Sequence, residues 1–325
     1  MTLPPQTING LMRHLRNKCN VNIQGSQQKQ QLICYGYYHG YKGYRFFQNA
    51  NDPIPYTDFK EVVDVIEFDN TMKAALYPCL MFLETAIKNV VCNESVNGLK
   101  QNTFDYIYKE RMNDNLGDAQ TQLNRLNLRN SIYSKLSSRY RDEQKNPNQM
   151  VRHFYNRGED TPIWVVFELL YLSDLANFTG CLNKSVREKI LSQINMLDTA
   201  LDTNRELLPA ALYTIKALRN AVAHNSIIFD ARFKDRNINR VLRDWIEKEV
   251  SVHNVTLYSL TDYIIIVCTL LKKLDFSDAR AKNLIKMYKK EINALQVSLP
   301  PSIYNQIIQG NTFAKITALE TYLNT

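Results

Sequence analysis

Between Glu61 and Val91 the apolar residues Val62, Val65, Ile66, Met72, Leu76, Leu80, Leu83, Ile87 and Val90 recur at helical spacing. An unbroken helix over that stretch would be about 45 Å long at 1.5 Å per residue. Burying its apolar stripe requires several other elements laid along it. Pro78 falls inside the stretch and is expected to kink or divide the helix, because proline has no amide to donate. Glycine and proline number only 10 each in 325 residues, which disfavours a turn-rich all-β architecture. With no strand-like alternation and no internal repeat, the expected fold is all-α with many helices.

The remaining segments fit that class. Residues 5–18 read as a short basic helix and NVNIQGSQQKQQ (20–31) as a polar connector. In YGYYHGYKGYRFF (35–47) seven of thirteen residues are aromatic and three are glycine. NANDPIPYTD (49–58) reads as a loop with Asp58 as a helix cap. Helices between 99 and 160 are expected to break near Gly117 and at KNPN (145–148). Thr161 and Pro162 read as the cap and first residue of a helix through IWVVFELLYLSDLANF (163–178). Ser185 to Glu188 reads as a capping box opening a helix that runs through Leu197. Further helices are expected at 205–224, 237–250, 259–274 and 278–296, with a short one after Pro301.

Apolar residues make up 45% of the chain and charged residues 22%, the balance of a soluble globular protein. Lys and Arg exceed Asp and Glu by 40 to 32, a net charge of +8 that suits a polyanionic partner such as RNA. Six scattered cysteines (Cys19, Cys34, Cys79, Cys92, Cys181, Cys268) form no C-x-x-C pair and read as reduced, small apolar residues. No metal site or other cofactor is expected. The start MTLPPQTING lacks the basic and apolar regions of a signal peptide, and the longest apolar run, YIIIVCTLL (263–271), is nine residues. The expected location is the cytoplasm, with no membrane partner.

The chemistry concentrates in RNAVAH (219–224). On a helical projection Leu208, Ala211, Ile215, Leu218 and Val222 form a core stripe with Arg219 on its flank. Asn220 and His224 fall about 140° and 180° away from Ile215. Being four apart, the Asn220 amide can bond the His224 imidazole and set its tautomer. Imidazole exchanges protons near neutral pH, and arginine clamps phosphate bidentately. On an RNA substrate the 2′-hydroxyl is a built-in nucleophile, so neither a metal nor a covalent enzyme intermediate is required. The other reading of the hexapeptide is an ordinary solvated helix end.

The order of segments resembles the Abi-like abortive-infection proteins of bacteria, the AbiD/AbiF group, whose members contain a HEPN domain. Gly36-Tyr37-Tyr38-His39-Gly40-Tyr41-Lys42-Gly43-Tyr44 is similar to the family's G-Y-Y-R-L-x-G-Y-like element. Phe68-Asp69 through Leu83-Glu84-Thr85-Ala86-Ile87-Lys88, then Ile163-Trp164-Val165-Val166-Phe167-Glu168, then Leu218-Arg219-Asn220-Ala221-Val222-Ala223-His224 follow in the family's order. The resemblance spans roughly residues 5–230. It departs after the motif, where Asn225-Ser226-Ile227-Ile228-Phe229 replaces a second histidine and a following Arg or Trp. It departs again at Tyr171-Leu172-Ser173-Asp174-Leu175, in place of a Ser-Phe-Gly-like element.

The resemblance implies a HEPN-like helical domain at 61–230, between an N-terminal part (1–60) carrying the aromatic element and a C-terminal helical extension (231–325). It also implies a metal-independent endoribonuclease in antiphage defence, with Arg219, Asn220 and His224 catalytic and a composite site formed across a homodimer. A regulatory small RNA is a plausible further partner.

Other candidates have two readings each. Glu84 and Glu168 lie in apolar helical runs and need partners; each would either hold Arg219 or form a structural salt bridge elsewhere. Lys42 and Arg45 in the aromatic element, and Lys286, Lys289 and Lys290 in ARAKNLIKMYKKEI (279–292), would grip RNA phosphates or be solvated surface; Lys216 and Asn225 join them as candidate RNA contacts. His39, His153 and His253 have no spacing that recommends them as catalysts. The rival functions are a non-catalytic RNA-binding module and a helical protein-interaction scaffold.

Overall fold

The computed structural model describes residues 7–113, 117–142, 149–234, 237–275 and 277–325. Its helices are α1 (Ile8–Cys19), α2 (Gly25–Tyr35), α3 (Phe59–Val96), α4 (Phe104–Glu110), α5 (Ala119–Asp142), α6 (Met150–Tyr155), α7 (Ile163–Leu169) and α8 (Leu172–Cys181). Then come α9 (Lys184–Gln193), α10 (Leu207–Ala223), α11 (Arg240–Val250), α12 (Leu260–Leu274), α13 (Ala279–Ser298), α14 (Pro301–Ile307) and α15 (Thr312–Asn324). Among the described residues there is no β-strand, only isolated bridges. The fold is all-α.

The long periodic stretch is one helix of 38 residues. Asp58 and Glu61 close its start reciprocally in a capping box. Pro78 does not divide it. Pro78 and Ala74 both lie on the exposed side, so water can reach the carbonyl that loses its amide partner. Helix α3 packs against α7, α8, α9, α10, α12 and α13 and is the axis of the molecule. By length and composition alone it could also cross a membrane, but its Asp69, Lys73 and Glu84 are buried against partners in other elements. Buried apolar side chains form one cluster running from Met12 to Leu323, drawing on all three stretches distinguished in the sequence.

Several boundaries differ from expectation for local reasons. The polar run at 20–31 contains the start of α2; Gln28 accepts from the Gln24 amide at its first turn and Leu32 anchors it in the core. The segment 163–178 is two helices, because the Asp174 carboxylate accepts from the Tyr171 amide at 2.9 Å and starts a new helix. The cap of α7 is Pro162 itself rather than Thr161. Asn183, not Ser185, caps α9 by accepting from the Val186 amide, and Asn195 at φ 52° closes that helix before Leu197. Helix α10 begins at Leu207, where Asp202 accepts from the amides of Glu206 and Leu207. Residues 5–6 and the KNPN break lie outside the described residues.

All six cysteines are free thiols. Burial pushes the Cys92 and Cys181 thiols up to about 11 and that of Cys79 upward as well, which suits them to the apolar role assigned above.

Candidate functional site

Helix α10 turns Leu208, Ala211, Ile215, Leu218 and Val222 into the core. Its last turn closes in a Schellman arrangement: the Ser226 amide donates to the Ala221 carbonyl at 2.8 Å and the Asn225 amide to the Val222 carbonyl at 3.3 Å. Asn225 sits at φ 53°, a left-handed conformation that asparagine tolerates better than most residues. The helix therefore stops here although Ile227 and Ile228 follow. His224 becomes the cap residue, exposed, and its imidazole makes no hydrogen bond to any described residue.

Arg219 is held from α3. Its Nε donates to Glu84 Oε2 at 3.0 Å, and the other Glu84 oxygen accepts from Lys88 Nζ at 3.1 Å. Glu84 is buried, so two cations answer a carboxylate removed from water, while the Arg219 side chain keeps about a quarter of its surface (26%) exposed. Its Nη1 donates to Asn220 Oδ1 at 3.2 Å. Asn220 thus faces the guanidinium and not His224. The expected amide–imidazole bond does not form: the Asn220 side-chain oxygen is taken by Arg219, and only the backbone bond from the His224 amide to the Asn220 carbonyl joins the two residues.

Glu168 does not share the role of Glu84. Trp164 and Glu168, one turn apart on the short α7, both point outward, and Glu168 has no bond to Arg219. A seven-residue helix is too short for apolar content to reveal which side is buried.

A buried polar knot lies just behind the site. Asp69, fully buried on α3, accepts from the amides of Ile228 (2.8 Å) and Phe229 (2.6 Å), from the Tyr44 hydroxyl (2.7 Å) and from Lys73 Nζ (2.7 Å). Burial first, and the neighbouring carboxylate second, hold the Tyr44 phenol far above its usual range, so it stays a donor. Lys73 continues the chain by donating to Asn225 Oδ1 at 2.9 Å. A second knot lies beyond it: buried Asp230 takes the guanidinium of Arg232 and the Gln48 amide, and Arg232 donates to the carbonyls of Gly43 and Phe46.

These knots fasten the aromatic element to the segment that follows His224. Gly36–Lys42 forms a π-helical turn, a rare geometry that recurs at functional sites. The turn sits so close that a Cβ on Gly43 would lie 2.8 Å from Ile227 Cδ1. His39, exposed, places Nε2 3.5 Å from Asn225 Nδ2. Asp69, Lys73, Asp230, Arg232 and His39 were not nominated from sequence. The pair Phe68-Asp69 is a visible signal, but two of its four partners, the amides of Ile228 and Phe229, are about 160 residues away.

The other candidates are dispersed. Lys42 lies over the Tyr37 ring, 5.6 Å from its centroid. Arg45 lines a cleft of about 320 Å³ with Lys18 and Tyr41. Lys216 is half-buried on α10, and Asn225 is occupied by Lys73 and His39. On α13, Lys289 pairs with Glu320 at 2.9 Å and Lys290 with Glu291 at 3.3 Å, while Lys286 is exposed. A cavity of about 170 Å³ lies further back along α10, lined by Ala210, Tyr213, Thr214 and Ala217, and excludes Arg219 and His224. His224 is exposed and Arg219 is partly exposed.

Glu84→Gln keeps a hydrogen-bond acceptor for Arg219 but removes the charge between two cations. It is expected to lower unfolding free energy by about 1 kcal/mol, below the cost of breaking a fully buried pair, since Arg219 is partly solvated. Urea denaturation measures this; a variant as stable as the wild type would mean that Lys88 and Arg219 do not depend on the carboxylate.

A family sequence profile described as Abi-like protein matches residues 30–230, more than half of the chain. No curated protein and no solved structure matches it. The matched range contains the π-helical turn, Asp69, Lys73, Glu84, Arg219, His224 and Asp230. By that match, the chain belongs to the Abi-like protein family.

Proposed function

We propose that the protein is a metal-independent endoribonuclease of the HEPN type, acting in the bacterial cytoplasm in antiphage defence. The observation that carries this reading is the exposed imidazole of His224, without a hydrogen bond to any described residue, at the end of the helix whose Arg219 is fixed by a buried carboxylate. His224 takes the proton of an RNA 2′-hydroxyl, and the 2′-oxygen attacks the adjacent phosphorus. Arg219 stabilises the charge that develops on the phosphoryl oxygens. The bond to the 5′-oxygen breaks, that oxygen takes up a proton, and the products are a 2′,3′-cyclic phosphate and a 5′-hydroxyl. Asn220, bonded to Arg219, fixes the guanidinium plane.

In a homodimer, two Arg219/His224 pairs meet in one composite site. The net charge of +8 favours RNA binding. A bound structured RNA or a protein partner restrains cutting until infection.

The test is cleavage of mixed-sequence single-stranded RNA in EDTA, with protein stripped of co-purifying nucleic acid. The expected products carry cyclic-phosphate ends, and 2′-deoxy substitution at the cut site blocks the reaction. Cleavage that needs a divalent metal, or that leaves 5′-phosphates, refutes the mechanism; no cleavage at all refutes the activity.

A further inference from the structure

We infer that His39 is a second catalytic imidazole of this site, donating the proton that the leaving 5′-oxygen needs. The inference rests on the ribonuclease reading above. Two buried knots, one at Asp69 and one at Asp230, tie Gly43, Tyr44 and Phe46, just after the π-helical turn, to the segment after His224. What this locking leaves exposed at the junction is His39, whose Nε2 meets the side chain of the residue next to His224.

The bonding fixes how His39 is held. Lys73 Nζ can only donate, so it must face the oxygen of the Asn225 amide, as it does at 2.9 Å. The amide NH₂ is thereby aimed at His39, and Nε2 can meet it only as an acceptor. Asn225 therefore orients the imidazole through Nε2, and a proton on Nε2 would turn that atom from Asn225 toward an acceptor on bound substrate.

Of the charged groups around the turn, Arg45 lies near Tyr37 and Tyr41, and others are engaged. Glu67 of α3 accepts from the Tyr35 hydroxyl, Asp69 pairs with Lys73, and Lys42 rests on Tyr37. His14 of α1 packs edge-on against Tyr37.

The proton balance is complete. The 2′-hydroxyl proton passes to His224 as the P–O2′ bond forms. The proton on His39 passes to the 5′-oxygen as the P–O5′ bond breaks. Exchange with water resets both rings.

The test is the pH dependence of RNA cleavage in EDTA by wild type, His39→Ala and Asn225→Asp. Wild type should give a bell-shaped profile. His39→Ala should flatten the alkaline limb and lower the maximum by about 100-fold, in the range of general acid catalysis. Asn225→Asp sets a carboxylate oxygen, shared with Lys73, against the ring, which favours the protonated form, so the alkaline limb should move to higher pH. A His39→Ala profile that matches wild type overturns the inference.

An assay without turnover separates it from the ribonuclease reading. Imidazole NMR signals of His39 and His224 would be followed on adding a 2′-O-methyl oligonucleotide. Both should shift. A shift of His224 alone overturns the role of His39 and leaves the ribonuclease reading standing; no shift of either, together with no cleavage of unmodified RNA, overturns both.

Discussion

His224→Ala is expected to lower RNA cleavage by roughly 10²–10⁴-fold, the usual contribution of a positioned acid or base, and to leave the fold unchanged. The side chain is exposed and makes no hydrogen bond to any described residue, so its loss removes little packing and no such bond. The backbone bond from the His224 amide to the Asn220 carbonyl, 2.9 Å, does not depend on the imidazole. Its φ of −99° is open to alanine. Stability should therefore stay within about 0.5 kcal/mol of wild type. A rate measured in EDTA beside a urea melt separates chemistry from folding. Equal cleavage by both proteins would remove His224 from the mechanism.

The largest stability effect is expected at Asp69. Asp69→Ala leaves Lys73, whose side chain is 8% exposed, with Asn225 as its remaining partner, and strands the amides of Ile228 and Phe229. Breaking a buried pair this way costs roughly 3–5 kcal/mol, because an uncompensated charge stays in the interior. That is a large share of the roughly 5–15 kcal/mol that stabilises a typical domain. The knot also anchors the segment after His224, so any protein that remains folded should lose cleavage too. Adding Lys73→Met to Asp69→Ala removes the stranded charge and should recover part of the loss, a coupling that a double-mutant cycle measures. A loss below about 1 kcal/mol for Asp69→Ala alone would contradict a buried, four-partner carboxylate.

Part of the geometry of the candidate site was readable from the chain. The apolar stripe of α10 placed Arg219 on its flank, and a carboxylate in the apolar run of α3 called for a cation, which Arg219 and Lys88 provide. The same reasoning failed at Glu168, because the run it relied on is broken at Leu170 by the Asp174 carboxylate. It failed at Asn220 because the amide oxygen faces the Arg219 guanidinium next to it in the chain. The contact of His39 with Asn225, 186 positions away, leaves no mark in local spacing.

Periodicity, the scarcity of glycine and proline, and the asparagines that end helices are local properties, and they determined that the chain is all-α and where most helices run. They also determined that His224 stands at a helix end, because Asn225 can take the left-handed geometry that terminates it. Which distant groups meet was decided by tertiary structure. Asp69 reaches Ile228 and Phe229, Lys73 reaches Asn225, and the π-helical turn brings His39 beside the motif. The physical reason is that spacing along a helix fixes the direction of a side chain but not what lies opposite it. A buried charge requires a partner, and packing alone selects which one comes within 3 Å.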